Sequence, residues 1–428
     1  MTVVSALVTG ISGEVRAQQL PLQLGDLQQA AVAHDPRTTE LALLESQSSL
    51  RLRNLAVQWL PSASVESQAQ FQSDAPTAPL LTPAGKPVFA APKQNYDVNA
   101  GLNQRLFDPT VAARAAVERA QLAESQARVR AAVYAVRQQV NDAFFAAATL
   151  QQRVAVLTAT IAELQGRLDE ANARVREGTA LPADAAAIEA TLLQRQQDED
   201  ELRAGIRAAL ARLATIVGRP IAPDATLSLP DLTTQSDAAR QGTSDERGRP
   251  EYEQFARTRE RIERQADLAS AQAQPTLSAF GRAGYGKPGL DFIQNEWEPY
   301  ASGGVRLQWN AWTWGSTGRE KDVQSLQAKI VAADEAAFTQ TLSASTESDQ
   351  ATIDHLVKAL ATDARIIDLR AQVESTARAR LQENVLTASD YLARNTELLQ
   401  ARTAQATHQV ELAQARARLL TTLGIEVH

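Results

Sequence analysis

Four segments of the chain alternate apolar and polar residues with the two-residue period of a strand that keeps its two faces apart. In the first, Val65, Ser67, Ala69 and Phe71 fall on one side and Glu66, Gln68 and Gln70 on the other. In the second, Tyr96, Val98, Ala100 and Leu102 alternate with Asp97, Asn99, Gly101 and Asn103. Leu277, Ala279, Gly281, Ala283 and Tyr285 alternate with Thr276, Ser278 and Arg282, with Phe280 out of pattern. Gly303, Val305, Leu307 and Trp309 alternate with Gly304, Arg306 and Gln308. Elsewhere the period changes to that of helices. Residues 111–175 contain no Pro and a single Gly, Gly166. Within them Val136, Val140, Ala143, Ala147, Leu150, Val154, Leu157 and Ile161 open a seam with three-four spacing that continues to Val175. This predicts one uninterrupted helix of ~65 residues, roughly 100 Å long. A second such helix is predicted from about Gly318 to Glu383.

Each long helix then turns. Gly178 and Asn384 stand at equivalent places, and these residue types best tolerate a left-handed C-terminal cap. Pro182 suits the first turn of a returning helix, and Thr387 opens a capping pattern with Asp390. The return helices are expected over 183–217 and 388–423. Landmarks recur in order: Pro36 and Pro61 match Pro250 and Pro275, Asp184 matches Asp390, and Gly218 matches Gly424. The spacing shortens slightly in the second copy, in keeping with a longer, Pro-rich loop at 74–93. The chain therefore reads as mainly α with a small β part, built from duplicated helix-strand-strand-long helix-helix units. Residues 18–218 form the first repeat and 250–428 the second, joined by a Pro- and Gly-bearing linker at 219–249.

Composition narrows the class. Aromatics are 5 % and there is one Met, which suits long helices packed closely through Ala, Leu and Val. The absence of Cys excludes disulfides, thiolate metal sites and a lipid-modified N-terminal Cys. Net charge is −7 and no basic block stands out, which argues against nucleic acid as a partner. Residues 1–17 include a short apolar run, Val3 to Ile11, ahead of Val15-Arg16-Ala17. They read as a signal peptide without its basic leader, or as an irregular tail. Nowhere do about 18 consecutive apolar residues occur, so any membrane span must be a β-barrel. Four strands cannot close a barrel around a pore. Such a chain either oligomerises or is not a membrane protein.

The two strand-to-helix corners read Arg105-Leu106-Phe107-Asp108-Pro109-Thr110 and Asn310-Ala311-Trp312-Thr313-Trp314-Gly315. With the Pro residues ending the first helix of each half and the Asp after each tip, this ordered set resembles the TolC family of outer-membrane efflux and secretion proteins. The family's corner is an apolar–aromatic–Asp–Gly–Gly signature. The first copy here lacks the glycines, and the second lacks the Asp and keeps Gly315. The resemblance spans about 24–425. It implies a homotrimer with a twelve-stranded β-barrel in the outer membrane and a long α-helical coiled-coil barrel through the periplasm. It implies an equatorial place for 219–249. It also implies two partners, a periplasmic adaptor and an inner-membrane pump of RND or ABC type.

On that reading Asp184 and Asp390 narrow the periplasmic entrance, where a ring of carboxylates favours cations. The alternative is that both only cap helices. Position 393, where the family often has a second acid, is Ala, and Arg394 follows as a candidate for pairing with an acid on a neighbouring hairpin. Tyr96, Tyr285, Tyr300 and Trp309 are candidates for aromatic girdles at the membrane surfaces. Gly281-Arg282-Ala283-Gly284-Tyr285-Gly286 partly mimics a dinucleotide fingerprint, but it lies in a strand pattern and opens no helix. His34, His355, His408 and His428 show no metal-ligand spacing, and no phosphate loop or nucleophile elbow is present. The expectation is a passive exit duct with no cofactor and no enzymatic activity. The competing expectation is a periplasmic coiled-coil adaptor without a pore.

Overall fold

The computed structural model describes residues 21–427 except 78–81, 86–88, 90, 243–247 and 292–294. The N-terminal segment read as a signal peptide lies outside the described residues. The chain divides into two units. One comprises Met1–Pro36, Ala132–Gly248 and Gln340–His428, the other Arg37–Ala131 and Arg249–Thr339.

The first unit is helical. It contains α1 (Leu24–His34), α4 (Val136–Arg176), α5 (Pro182–Val217), α6 (Thr233–Gln241), the later part of α8 (Ser316–Gln382) and α9 (Ala388–Thr422). Leu27, Val140, Phe144, Leu213, Val410 and Leu420 are among the fully or almost fully buried side chains of its largest core. A polar chain runs through this core. Gln28 Nε2 donates to Asn141 Oδ1 at 2.6 Å, and Asn141 Nδ2 donates to Thr421 Oγ1 at 3.0 Å. Buried polar groups are tolerated only when paired, so this chain specifies how α1, α4 and α9 sit together. Leu22 forms a parallel bridge with Leu227, and Leu22 N–H donates to the Thr226 carbonyl at 3.0 Å.

The helix expected to run unbroken through 111–175 is interrupted. The helix α3 (Pro109–Tyr134) stops, and α4 begins after Ala135, whose φ of −62° and ψ of −18° open the turn. Long-range contacts gather at this point. Tyr134 Oη donates to the Thr421 carbonyl at 2.7 Å, and Arg137 lies over the Tyr134 ring and pairs with Glu426. No Gly or Pro marks the place, so the heptad pattern does not reveal it. Its counterpart α8 is continuous for 67 residues.

The second unit holds α2 (Arg37–Val57), most of α3, α7 (Pro250–Gln272), the start of α8 and the strands β1 (Ser62–Phe71), β2 (Gln94–Phe107), β3 (Thr276–Lys287) and β4 (Glu298–Gln308). The strands form one antiparallel sheet in the order β1-β2-β3-β4, so β1 and β4 are its edges. Among the described residues no helix is long and apolar enough to cross a membrane.

Candidate functional site

Two places carry the candidate residues: the helical tips of the first unit and the sheet of the second.

At the tips the duplicated turns have the same backbone construction. Gly178 has φ +66° and Asn384 φ +59°. Thr179 N–H donates to the Arg174 carbonyl at 2.9 Å and Gly178 N–H to Val175 at 3.1 Å. Val385 N–H donates to Arg380 at 2.9 Å and Asn384 N–H to Leu381 at 3.1 Å. Both are the paired hydrogen bonds of a left-handed helix stop. Pro182 is at the start of α5, where its missing N–H costs nothing. Thr387 is the N-cap of α9. Its hydroxyl accepts from Asp390 N–H at 3.2 Å and donates to Asp390 Oδ2 at 2.7 Å.

The two acids are not equivalent. Asp184 Oδ1 accepts from the backbone N–H of Ala388 at 3.2 Å, so this first-turn residue of α5 caps α9. Asp390 caps within its own helix and stays exposed to solvent. Two further bonds tie the same turns: Arg174 Nη2 to Asn384 Oδ1 at 2.7 Å, and Gln382 Nε2 to Glu170 Oε1 at 3.0 Å. Between them lies a cavity of about 370 Å³ lined by Arg167, Arg174, Asp184 and Arg378 among others. Arg394 makes no contact with a tip acid. It pairs with Glu397 on its own helix at 3.0 Å, and Glu397 also meets Arg370 of α8.

Behind the tip, Tyr391 is fully buried in a core with Leu164, Leu168, Ile188 and Ala377. Burial, and next the nearby Glu374 and Glu163 carboxylates, push its hydroxyl far above the ordinary phenol range. Burial, then Glu163, also raise Glu374, with Arg378 and Arg167 opposing. Nothing in the sequence pattern marks Tyr391. It would have been found only by asking which residue beside Asp390 faces the core.

In the sheet, cross-strand register decides which side chains share a face. Tyr96, Val98, Ala100 and Leu102 lie with Tyr285, Ala283, Gly281, Val305 and Leu307 on one face. It is apolar and open: Val65 is 81 % exposed and Leu307 68 %. Trp297 stacks between Tyr96 and Tyr285, with ring centroids 6.3 and 5.5 Å away. Trp309 follows the end of β4, and its indole donates to the Ala273 carbonyl at 3.0 Å. Tyr300 is placed differently from the other three candidates. It pairs with Gly284 on the polar face, and its hydroxyl donates to Asp97. Single-strand alternation does not carry this, because the face of a half-alternating strand is known only from its neighbours.

The corners differ as their sequences do. Phe107 is half-exposed at the end of β2. Asp108 accepts from Thr110 N–H at 3.0 Å, caps α3 and pairs with Arg105 at 2.6 Å. In the second corner, which has no Asp, Trp314 and Gly315 take φ of +52° and +74° in succession, and Trp312 packs edge-on against Trp314. Among the described residues no three His, Asp or Glu side chains converge as metal ligands.

Residues 26–219 match the protein family described as outer membrane efflux protein. A search of curated protein sequences finds no match. Solved structures share the fold over almost the whole chain. The outer-membrane protein VceC of Vibrio cholerae is 15 % identical with a TM-score of 0.66, covering 95 % of this chain and 97 % of its own. CusC, solved in a study of transmembrane channel formation, is 13 % identical with a TM-score of 0.72, covering 95 % and 93 %. The open state of the MtrE outer membrane channel of Neisseria gonorrhoeae is 17 % identical with a TM-score of 0.65, covering 94 % and 89 %. The CusC and MtrE structures are described as those of membrane channels. Residues 26–219 thus carry the sequence pattern of the outer membrane efflux protein family, and nearly the whole chain has the TolC-like channel-tunnel fold.

Proposed function

We propose that the chain is one protomer of a homotrimeric exit duct that conducts substrate from a periplasmic adaptor and an inner-membrane pump to the cell exterior. The observation that carries this is the sheet. It has one largely apolar, exposed face and two unpaired edges, β1 and β4. Unpaired backbone groups are not tolerated in lipid, so the edges must meet other copies. Three copies supply twelve strands, with the apolar face toward lipid and the polar face toward a lumen. The long helices, continuing into the periplasm, supply the tunnel wall.

The protein purified from outer membranes in mild detergent is expected to run as a heat-modifiable trimer and to form discrete pores in planar bilayers. A soluble monomer without conductance would sink the duct and favour the adaptor-like scaffold. Labelling of the β1–β2 and β3–β4 loops on intact cells adds a second check, since only a duct exposes them outside.

The exposed Asp390 carboxylate is the better placed of the two acids to form a ring at the entrance, because Asp184 is engaged by α9. Asp390→Ala is therefore expected to lower cation selectivity or block by multivalent cations. It should also cost roughly 0.3–1 kcal/mol through loss of the first-turn charge that accepts the Thr387 hydroxyl, the Thr387 cap itself being kept. Asp184→Ala should loosen the tip, read as faster proteolysis there, with a smaller effect on selectivity. Unchanged selectivity in Asp390→Ala would leave helix capping as its whole role.

A further inference from the structure

We propose that the polar face of the sheet is a two-belt charge filter, and that Arg282 and Arg306 set how the duct discriminates anions from cations inside its β-barrel. This rests on the duct reading, in which that face lines the lumen.

The belts come from the register. Asp97 and Glu298 share the cross-strand row with Gly286, nearest the loops, and Glu66 lies in the next row with Asn99. Arg282 stands in the row after that, opposite Ser302 and Gly101. Arg306 and Arg105 lie two rows further on, both opposite Ser278, at the helical end. Successive rows on one face are about 7 Å apart, so acids and bases are sorted along the strands over roughly 27 Å. The outermost acidic row and the Arg306 row are thus several Debye lengths of about 8 Å apart at physiological salt and act on passing ions largely independently, whereas Arg282, one row from Glu66, lies within one Debye length of that acid.

The cationic end rests on two side chains. Arg105 is matched by Asp108 at 2.6 Å. Arg282 and Arg306 are in no ion pair among the described residues and are exposed. Both are held in place by aromatic platforms. Arg306 lies 5.0 Å over the Phe280 ring, and Arg282 lies 5.9 Å over Tyr300 and donates to Ser302 at 3.1 Å. A guanidinium over an aromatic face keeps its charge while losing freedom. Glycines make room for the platforms. A Cβ on Gly284 would meet the Tyr300 ring at 2.8 Å, and one on Gly304 would meet Phe280 at 3.3 Å. Phe280, out of place in the alternation, and the fingerprint-like Gly281–Gly286 run thus both serve to present arginines. Threefold repetition would turn each belt into a ring, and rings of one charge decide which ions cross.

The test is the reversal potential of the full-length protein in planar bilayers under a KCl gradient. Arg282→Gln/Arg306→Gln is expected to shift the cation-to-anion permeability ratio by about twofold or more toward cations. Glu66→Gln/Glu298→Gln should shift it the other way. Arg282→Lys/Arg306→Lys, which keeps the charges, should stay near wild type. If the double Gln variant fails to form trimers, Arg306→Gln alone carries the measurement. Both shifts should shrink toward 1 M KCl, where the Debye length falls to about 3 Å. Wild-type reversal potentials in both neutralised variants, or shifts of the same sign, would overturn the filter while leaving the duct intact. Absence of any wild-type pore would overturn the duct reading and this inference with it.

Discussion

Phe144→Ala should destabilise the helical unit by about 3–5 kcal/mol, the range for deleting a buried aromatic side chain. Phe144 is fully enclosed, and its ring meets Phe145 edge-on with centroids 5.2 Å apart. It sits in the same core as Leu27, Leu213, Val410 and Leu420, contributed by three other helices, α1, α5 and α9. The lost contacts therefore cannot be recovered by collapse of one neighbour. Denaturant unfolding followed by helical circular dichroism reads the effect, and Phe144→Leu should lose distinctly less. A loss for Phe144→Ala below about 1 kcal/mol, the level of ordinary mutations, would mean that this core does not hold the unit.

Arg418→Met should cost about 1–3 kcal/mol at neutral pH, the penalty for a buried polar group deprived of its partner. Asp349 is 3 % exposed, takes a hydrogen bond from Arg418 Nε, and accepts a second from Thr422 at 3.3 Å. Burial holds its carboxyl above the usual carboxylate range, opposed first by the Arg418 charge. Losing Arg418 raises it further. A carboxyl raised on folding contributes stability that is complete below its unfolded pKa, about 3.9, and lost as pH rises through the folded one. The deficit of Arg418→Met should thus be small near pH 4 and full at pH 7. Arg418→Met/Asp349→Asn should flatten this dependence. A deficit that does not vary between those pH values would assign the effect to lost side-chain contacts on α9 rather than to charge.

Much of this molecule was legible before any coordinates because its patterns are local. The period-two runs around Val65 and Val98 became β1 and β2, and the three-four seam from Val136 became α4. The positive φ angles fall at Gly178 and Asn384, where the residue types suggest them. What escaped was set by distant partners. The break at Ala135 adjoins Tyr134, whose partner Thr421 lies far along the chain. The face taken by Tyr300 depends on its pairing with Gly284. The Asp184 carboxylate could be placed in a helix N-terminus, but that the helix would be α9 instead of its own follows only from the contact with Ala388. Arg394 shows how near a partner can stand: Glu397 lies one turn away on the same helix.

The uncovered sheet also bears on how the protein is made. The helical unit encloses a core of its own, drawn from three distant segments of the chain. In the proposed trimer the sheet is completed only by other copies, and until they arrive Val65 and Leu307 remain in water and β1 and β4 remain adhesive. Its maturation is therefore a concentration-dependent encounter, and the waiting monomer is the species most prone to aggregate. A cell producing this chain must escort that monomer, or insert it into lipid, faster than its strand edges find the wrong partner.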